Sequence, residues 1–358
     1  MSYPKINFTP GPSQLYFTVE DHMKQAFRDG IPSLSHRSKK FEKIFADAVN
    51  GLRQLLNVPA GYHIYFTGSA TEIWERSIEN LVEETSFHLV NGSFSKRFFE
   101  ISVQLGKKAT KQEVPVGEGF SDSLIVPPAE LIAVTHNETS TGVSLPLDFI
   151  YNLKKQHPDA LLVVDAVSSL PYPDFDYSKL DSVFFSVQKG FGLPAGLGVW
   201  LINERCLAKA EQLLAKGRSI GSYHNLPSLH AHALKNQTPE TPNVLAIYLL
   251  AQVVSDMLRH SAHKIRKETE YKSILLYNTL NKHPHLKPFV KAERFQSRTV
   301  IVAESGEHTE KITALLIEKG MLPGDGYGPS KKHQLRFANF PTHAKEHFEL
   351  LVDTLESM

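Results

Sequence analysis

The sequence predicts an α/β fold: a large domain on a mostly parallel sheet, joined to a small C-terminal α/β domain. Three patterns carry that expectation. Short runs of nearly continuous apolar character recur from about residue 62 onward, as in strands buried on both faces. Amphipathic stretches of helical period lie between several of them, and strand–helix–strand alternation implies parallel strands with right-handed crossovers. From about residue 243 the pattern turns helical, and a shorter strand–helix series follows.

The expected strands are Tyr62–Thr67, Phe87–Val90, Leu131–His136, Leu161–Asp165, Val183–Ser186 and Leu197–Ile202. Helices are expected at Thr71–Val82, Ser95–Gln104 and Leu147–Lys155, then over the apolar stretch 243–257 and its charged continuation to Leu280. Further on, Thr299–Ala303 and Gln334–Phe337 read as strands, His308–Lys319 and His343–Leu355 as helices. The large domain, with an N-terminal segment of no strong period, is placed at residues 1–257 and the small domain at 258–358.

Composition narrows the function classes. The 358 residues are 41% hydrophobic, enough for a sizeable core. Lys and Arg number 39 against 38 Asp and Glu, without the basic surplus that nucleic-acid or anionic-membrane binding requires. A single cysteine, Cys206, rules out an intramolecular disulfide framework and a cysteine-rich zinc site. Residues 1–12 lack a basic-then-apolar signal pattern, and no run approaches the ~20 apolar residues that cross a bilayer, so a cytoplasmic location is expected. Neither a G-x-G-x-x-G after the first strand nor a G-x-x-x-x-G-K phosphate loop occurs, which leaves nucleotide-binding and non-catalytic α/β modules without support.

Ligands of parallel α/β sheets gather beyond the carboxyl ends of the strands. There this sequence places Gly68-Ser69-Ala70-Thr71, Asn91-Gly92-Ser93-Phe94, His136 to Gly142 (HNETSTG), Asp165, and Gln188-Lys189-Gly190. One sheet edge thus offers a phosphate loop, an aromatic ring, a hydroxyl, a carboxylate and a lysine, the inventory required by pyridoxal 5'-phosphate (PLP). A carboxylate such as Asp165 would keep the cofactor's ring nitrogen protonated. The Lys189 amine would bind the cofactor and shuttle a proton at the substrate α-carbon. Backbone N–H groups opening the helix after Ser69 suit a phosphate, Phe94 could stack on the ring, and Thr139 could bond its phenolic oxygen. Singly, each has a plainer reading: a helix cap or turn for Asp165, a surface lysine, a capped turn at Ser69 or Thr71, a core aromatic, a polar turn.

Taken in order, SHRS (35–38), GSAT (68–71), HNETSTG (136–142), VVDAVSS (163–169), SVQKG (186–190) and LRF (335–337) resemble the successive motifs of class V aminotransferases of fold type I. NFTPGP (7–12), SHRSKKF and HNETSTGV resemble the phosphoserine aminotransferases within that family, and the likeness runs from residue 7 to the C-terminal helix. The resemblance implies Lys189 as the Schiff-base lysine, Asp165 on the ring nitrogen, Thr139 on the phenolic oxygen, and Phe94 where the group usually has Trp. It puts the cofactor phosphate on backbone groups of Ala70 and Thr71, the Gln188 side chain, and Thr241 of a second copy, hence a homodimer with a composite site. Glu240, beside Thr241, stands where the family has Asn. Arg336 would clamp the substrate α-carboxylate, a bidentate geometry that guanidinium provides, with His36 and Arg37 at the distal anion. Substrates would be amino and keto acids, with transamination between phosphoserine and 2-oxoglutarate the leading reading. An alanine– or serine–glyoxylate enzyme is the alternative. A cysteine desulfurase is disfavoured because Cys206 lies at a helix start, beyond the sheet. The group's His-Arg pair ahead of the carboxylate-binding Arg is missing from GYGPSKKHQLR (326–336), where Lys331, Lys332 or His333 are the basic residues available to replace it.

Overall fold

The apolar runs become strands because each is covered on both faces, and the polar residues that end them are left at a single edge. The computed structural model describes residues 6–358. Along the chain, β1 (Ile6–Phe8), α1 (Val19–Arg28) and α2 (Lys39–Leu55) precede β2 (Tyr62–Thr67), α3 (Ala70–Leu81), β3 (Thr85–Val90), α4 (Ser93–Gln104) and β4 (Lys108–Glu113). Next come β5 (Leu131–Thr135), the short β6 (Asn137–Glu138) and β7 (Val143–Ser144), α5 (Leu147–Gln156), β8 (Leu161–Asp165), β9 (Ser182–Ser186) and β10 (Gly198–Asn203). Helices α6 (Glu204–Ala215), α7 (Leu226–Ala233), α8 (Val244–His260) and α9 (Ala262–Lys282) lead to β11 (Lys287–Pro288), β12 (Val300–Glu304), α10 (Thr309–Glu318), β13 (Met321–Asp325), β14 (Gln334–Ala338) and α11 (Lys345–Glu356).

The larger sheet has the order β2-β10-β9-β8-β5-β3-β4. Neighbours from β9 to β4 are parallel, whereas β10 is antiparallel to both β9 and β2. All these strands but β10 therefore point the same way, and the ends of β2, β3, β5, β8 and β9 share one edge. The smaller sheet has the order β1-β13-β14-β12-β11. It is antiparallel except where β1 runs parallel to β13.

Three features depart from the sequence expectation. The segment before residue 62 does have a helical period: Phe41, Ile44, Phe45, Ala48, Leu52 and Leu55 form a buried stripe on α2, which packs along α8. Its first strand, β1, is hydrogen-bonded into the smaller sheet instead. The edge strand β4 carries the exposed, mostly polar sequence KATKQE, so neither periodicity nor apolarity marks it, although such an edge resists aberrant pairing. Finally, the helical stretch expected to run to Leu280 is broken at Ser261, whose φ is +70° and whose hydroxyl caps α9 by accepting from the Lys264 N–H at 3.3 Å. Among the described residues, no helix is long and apolar enough to cross a membrane.

Candidate active site

At the carboxyl edge of the larger sheet lies a cavity of about 220 Å³, walled by strand-end residues, by the Pro10–Pro12 segment, and by Tyr327 and Arg336 from the smaller sheet's side. Lys189 enters it from the turn after β9, its side chain buried. Its Nζ donates to Thr139 Oγ1 at 2.8 Å and lies 5.1 Å from the centroid of the Phe94 ring. Burial pushes the amine's pKa down to about 8, against the opposing pull of the Asp165 and Glu138 carboxylates. Gly11 makes room for this lysine, and Gly190 lets the turn that carries it pack closely. Gly11 has φ +152°, and a Cβ there would stand 2.8 Å from Lys189 Cε. A Cβ on Gly190 would collide with the Leu170 carbonyl.

Asp165 ends β8, paired between Thr135 and Phe184, and is almost wholly buried. One carboxylate oxygen accepts from Trp74 Nε1 at 2.8 Å, the other from the Val167 N–H at 2.9 Å. Burial raises its pKa to about 6 despite these bonds. Trp74 is a wall residue that the sequence reading passed over. Standing one turn into α3, it reads as an ordinary core aromatic, and only the fold brings its indole N–H to Asp165. Its ring stacks on Phe98 at 6.0 Å and lies 6.5 Å from Phe94.

Glu138 was passed over too. Fully buried, it accepts from the backbone N–H groups of Phe94 (3.3 Å), Ser95 (2.9 Å) and Ser140 (3.1 Å), and from the hydroxyls of Ser95 (2.9 Å) and Ser140 (2.6 Å). A carboxylate there caps the positive end of α4 and ties the Phe94 turn to the β6–β7 turn that carries Thr139. Its one signal in the sequence is an acid inside the otherwise neutral polar turn of HNETSTG.

In the GSAT turn, Ser69 caps α3 by accepting from the Glu72 N–H at 3.1 Å, and the Ala70 N–H donates to Ser186 Oγ at 2.8 Å. Thr71 and the Gln188 side chain line the cavity beside them. Arg336, on β14, donates from Nε to the Asp325 carbonyl at 2.6 Å and from Nη1 to the Thr139 carbonyl at 3.1 Å, with its Cζ 5.4 Å from the Tyr327 ring centroid. Lys331, Lys332 and His333 are exposed and do not line this cavity; Lys331 lies 3.5 Å from Asp325.

His36, Arg37 and Thr241 do not line it either. Arg37 Nη1 donates to Gln237 Oε1 and the Thr238 carbonyl at 2.8 Å each, and Nη2 to the Pro239 carbonyl at 3.3 Å. Glu240 and Thr241 follow directly and line a separate small cavity with Gly68 and His224. The Glu240 carboxylate lies 2.9 Å from His224 Nε2, and His224 Nδ1 lies 2.5 Å from Glu72 Oε1. Burial alone would lower the His224 pKa, but the two carboxylates outweigh it and hold the imidazole at about 9. Glu240 thus has a cationic neighbour within its own chain, one that it shares with Glu72. Cys206 is buried on α6, and burial pushes its thiol well above the ordinary range, away from nucleophilic service.

The donor set fits PLP. A buried carboxylate with hydrogen bonds but no cationic partner within ion-pair distance among the described residues lines the cavity at Asp165, as a protonated ring nitrogen requires. An amine whose pKa is lowered by burial, a ring beside it, and a helix start with Gln188 close by complete the inventory.

Comparison with known proteins agrees. Residues 101–326 match the family model of class V aminotransferases, well over half of the chain. A solved phosphoserine aminotransferase from Cytophaga hutchinsonii is 50% identical, with a TM-score of 0.98 and 99% of each chain covered. A phosphoserine aminotransferase from a Nocardioides species is 27% identical over 364 residues, 98% of this chain and 94% of its own. An aspartate aminotransferase from Thermus thermophilus, 22% identical with a TM-score of 0.86 over 99% of both chains, shares the fold. The chain belongs to the class V aminotransferases and is a PLP-dependent transaminase.

Proposed function

We propose that this transaminase moves the amino group of glutamate to 3-phosphohydroxypyruvate, giving phosphoserine and 2-oxoglutarate, as a cytoplasmic homodimer. The observation that carries the substrate is the 50% identity, over nearly the full length, to the Cytophaga phosphoserine aminotransferase.

When bound, PLP supplies an electron sink for the pair left on the substrate α-carbon and a temporary carrier for the amino group. Everything else falls to side chains of this protein. Lys189 holds the cofactor and moves the proton at the α-carbon; with a pKa near 8, its amine gains and loses a proton close to neutral pH. Asp165 keeps a proton on the ring nitrogen, and Trp74 keeps that carboxylate aimed. Thr139 would serve the phenolic oxygen, Phe94 would cover the ring, and Ala70, Thr71 and Gln188 would hold the phosphate. Because the Ala70 N–H is committed to Ser186, Thr71 and Gln188 carry more of that contact. Arg336 presents Nη2 to the α-carboxylate, its Nε and Nη1 each already donating to a carbonyl.

His36, Arg37 and Thr241 act on the partner's cavity in this reading. Large apolar side chains on the same segments, Phe17, Phe27, Tyr223 and Leu234, are exposed in the single chain and suit burial against a second copy. Residues 1–257 carry the cofactor and 258–358 form the smaller unit, with β1 handed across to it.

The test is a panel of donor and acceptor pairs on the purified holoenzyme. The glutamate and 3-phosphohydroxypyruvate pair should give the highest kcat/KM. A higher value for alanine or serine with glyoxylate would overturn the substrate assignment and leave the family untouched.

A further inference from the structure

Of the stretch 326–336, where a basic pair was sought, Tyr327 and Arg336 line the cavity while the basic side chains point elsewhere. Tyr327 stands between β13 and a tight turn at Gly328–Lys332, about 40% exposed, so one side of it faces water. Its ring centroid is 5.2 Å from that of Phe94, and the Arg336 guanidinium carbon lies 5.4 Å from its centre. The loop that carries it is pinned at both ends. Gly326 N–H donates to the Gln334 carbonyl at 2.8 Å, and Ser330 N–H to the Tyr327 carbonyl at 3.1 Å.

We propose that Tyr327 is a positioning residue for the carboxylate clamp. The inference rests on the reading of Arg336 given above. Carbonyls of Asp325 and Thr139 fix the guanidinium in its own plane. Neither resists a tilt out of that plane; an aromatic ring against the cation does. Through its second contact the same ring leans on Phe94, so the clamp and the ring-stacking wall share one brace. The ring does this work, not the phenol, whose hydroxyl makes no hydrogen bond among the described residues. The Arg336 clamp acts on the α-carboxylate common to donor and acceptor, so Tyr327 serves both half-reactions alike.

Steady-state kinetics of holoenzyme variants test this, with glutamate and 3-phosphohydroxypyruvate and, separately, alanine and glyoxylate. Tyr327→Leu should raise KM for donor and acceptor together by about 3- to 30-fold, the range a cation–ring contact supports, with kcat much less affected. Tyr327→Phe should stay within about twofold of the parent in both constants, and visible absorbance from bound cofactor should persist in both. Parent-like KM values in Tyr327→Leu overturn the proposal, as does an equal loss in Tyr327→Phe, which would transfer the role to the hydroxyl. A loss confined to kcat overturns it as well. Arg336→Gln separates the two readings. If it leaves KM unchanged for every pair, the clamp assignment falls; if it raises KM while Tyr327→Leu does not, Tyr327 alone falls. A change of preferred substrate pair alters neither outcome.

Discussion

The cavity around Lys189 and the patch around Arg37 are built in opposite ways. In the cavity, lysine, carboxylate, hydroxyl and aromatic ring converge from the ends of different strands of one chain, with Lys189 bonded to Thr139 and Asp165 to Trp74. On the patch, Arg37 is held by the 237–239 segment, Glu240 and Thr241 follow directly along the chain, and none of them, nor His36, lines that cavity. The cavity is complete within one chain, whereas the role proposed for the patch requires a second copy. Burial separates the two further: it sets the amine at about 8 and the carboxylate at about 6 in the cavity, while the acid beside the patch shares the His224 imidazolium with Glu72.

Mutations should separate the two regions. Lys189→Ala has the largest expected effect, a loss of transamination on the order of 10⁴-fold or more, since no neighbouring amine can take the role. PLP should still bind through its phosphate and ring. Parent-level turnover would break the cavity half of the comparison. Asp165→Ala comes next, with rate falling by roughly 10³- to 10⁴-fold as the ring nitrogen loses its counter-charge. It also carries a pH signature. In the unliganded chain burial holds Asp165 at about 6, above the ordinary carboxylate, so the group is ionised above that pH and neutral below it. PLP affinity, titrated by absorbance into unliganded protein, should therefore weaken as pH falls through about 6 more steeply in the parent than in Asp165→Ala. Identical pH profiles would contradict the assignment. Arg37→Ala should have the smallest effect: KM for dianionic substrates rises by about 10- to 100-fold, PLP binding stays intact, and alanine and glyoxylate are barely touched. Co-refolding Lys189→Ala with Arg37→Ala chains sharpens the contrast, because a mixed dimer assembles one undamaged site. A mixture no more active than the sum of its parts would refute the composite site.

Much of the fold was legible because strands buried on both faces announce themselves by composition, as Leu161–Asp165 and Ser182–Ser186 do, and because their end residues are the chemical ones. The elements that escaped lack that mark. β4 is an exposed polar edge, β1 is three residues long, and the stripe on α2 lies between Pro- and Gly-rich segments that read as loops. At the site, residues acting through local order were visible; those acting through long-range approach were not. Trp74 reaches Asp165 across 91 positions, and Tyr327 meets Phe94 only where the two sheets adjoin. Likewise, the spacing of GYGPSKKHQLR left open whether a lysine filled the missing basic position. The turn at Gly328–Lys332 answers by turning those side chains to water.

One measurement bears most directly on the central claim that Lys189 carries the cofactor at this sheet edge. Holoenzyme is reduced with borohydride and digested, and mass spectrometry identifies the peptide that retains the pyridoxyl group. The account predicts a single modified site, Lys189, within the SVQKG segment, with the visible absorbance bleached in step. A pyridoxyl group on any other lysine, or none on a protein that is yellow before reduction, would contradict it.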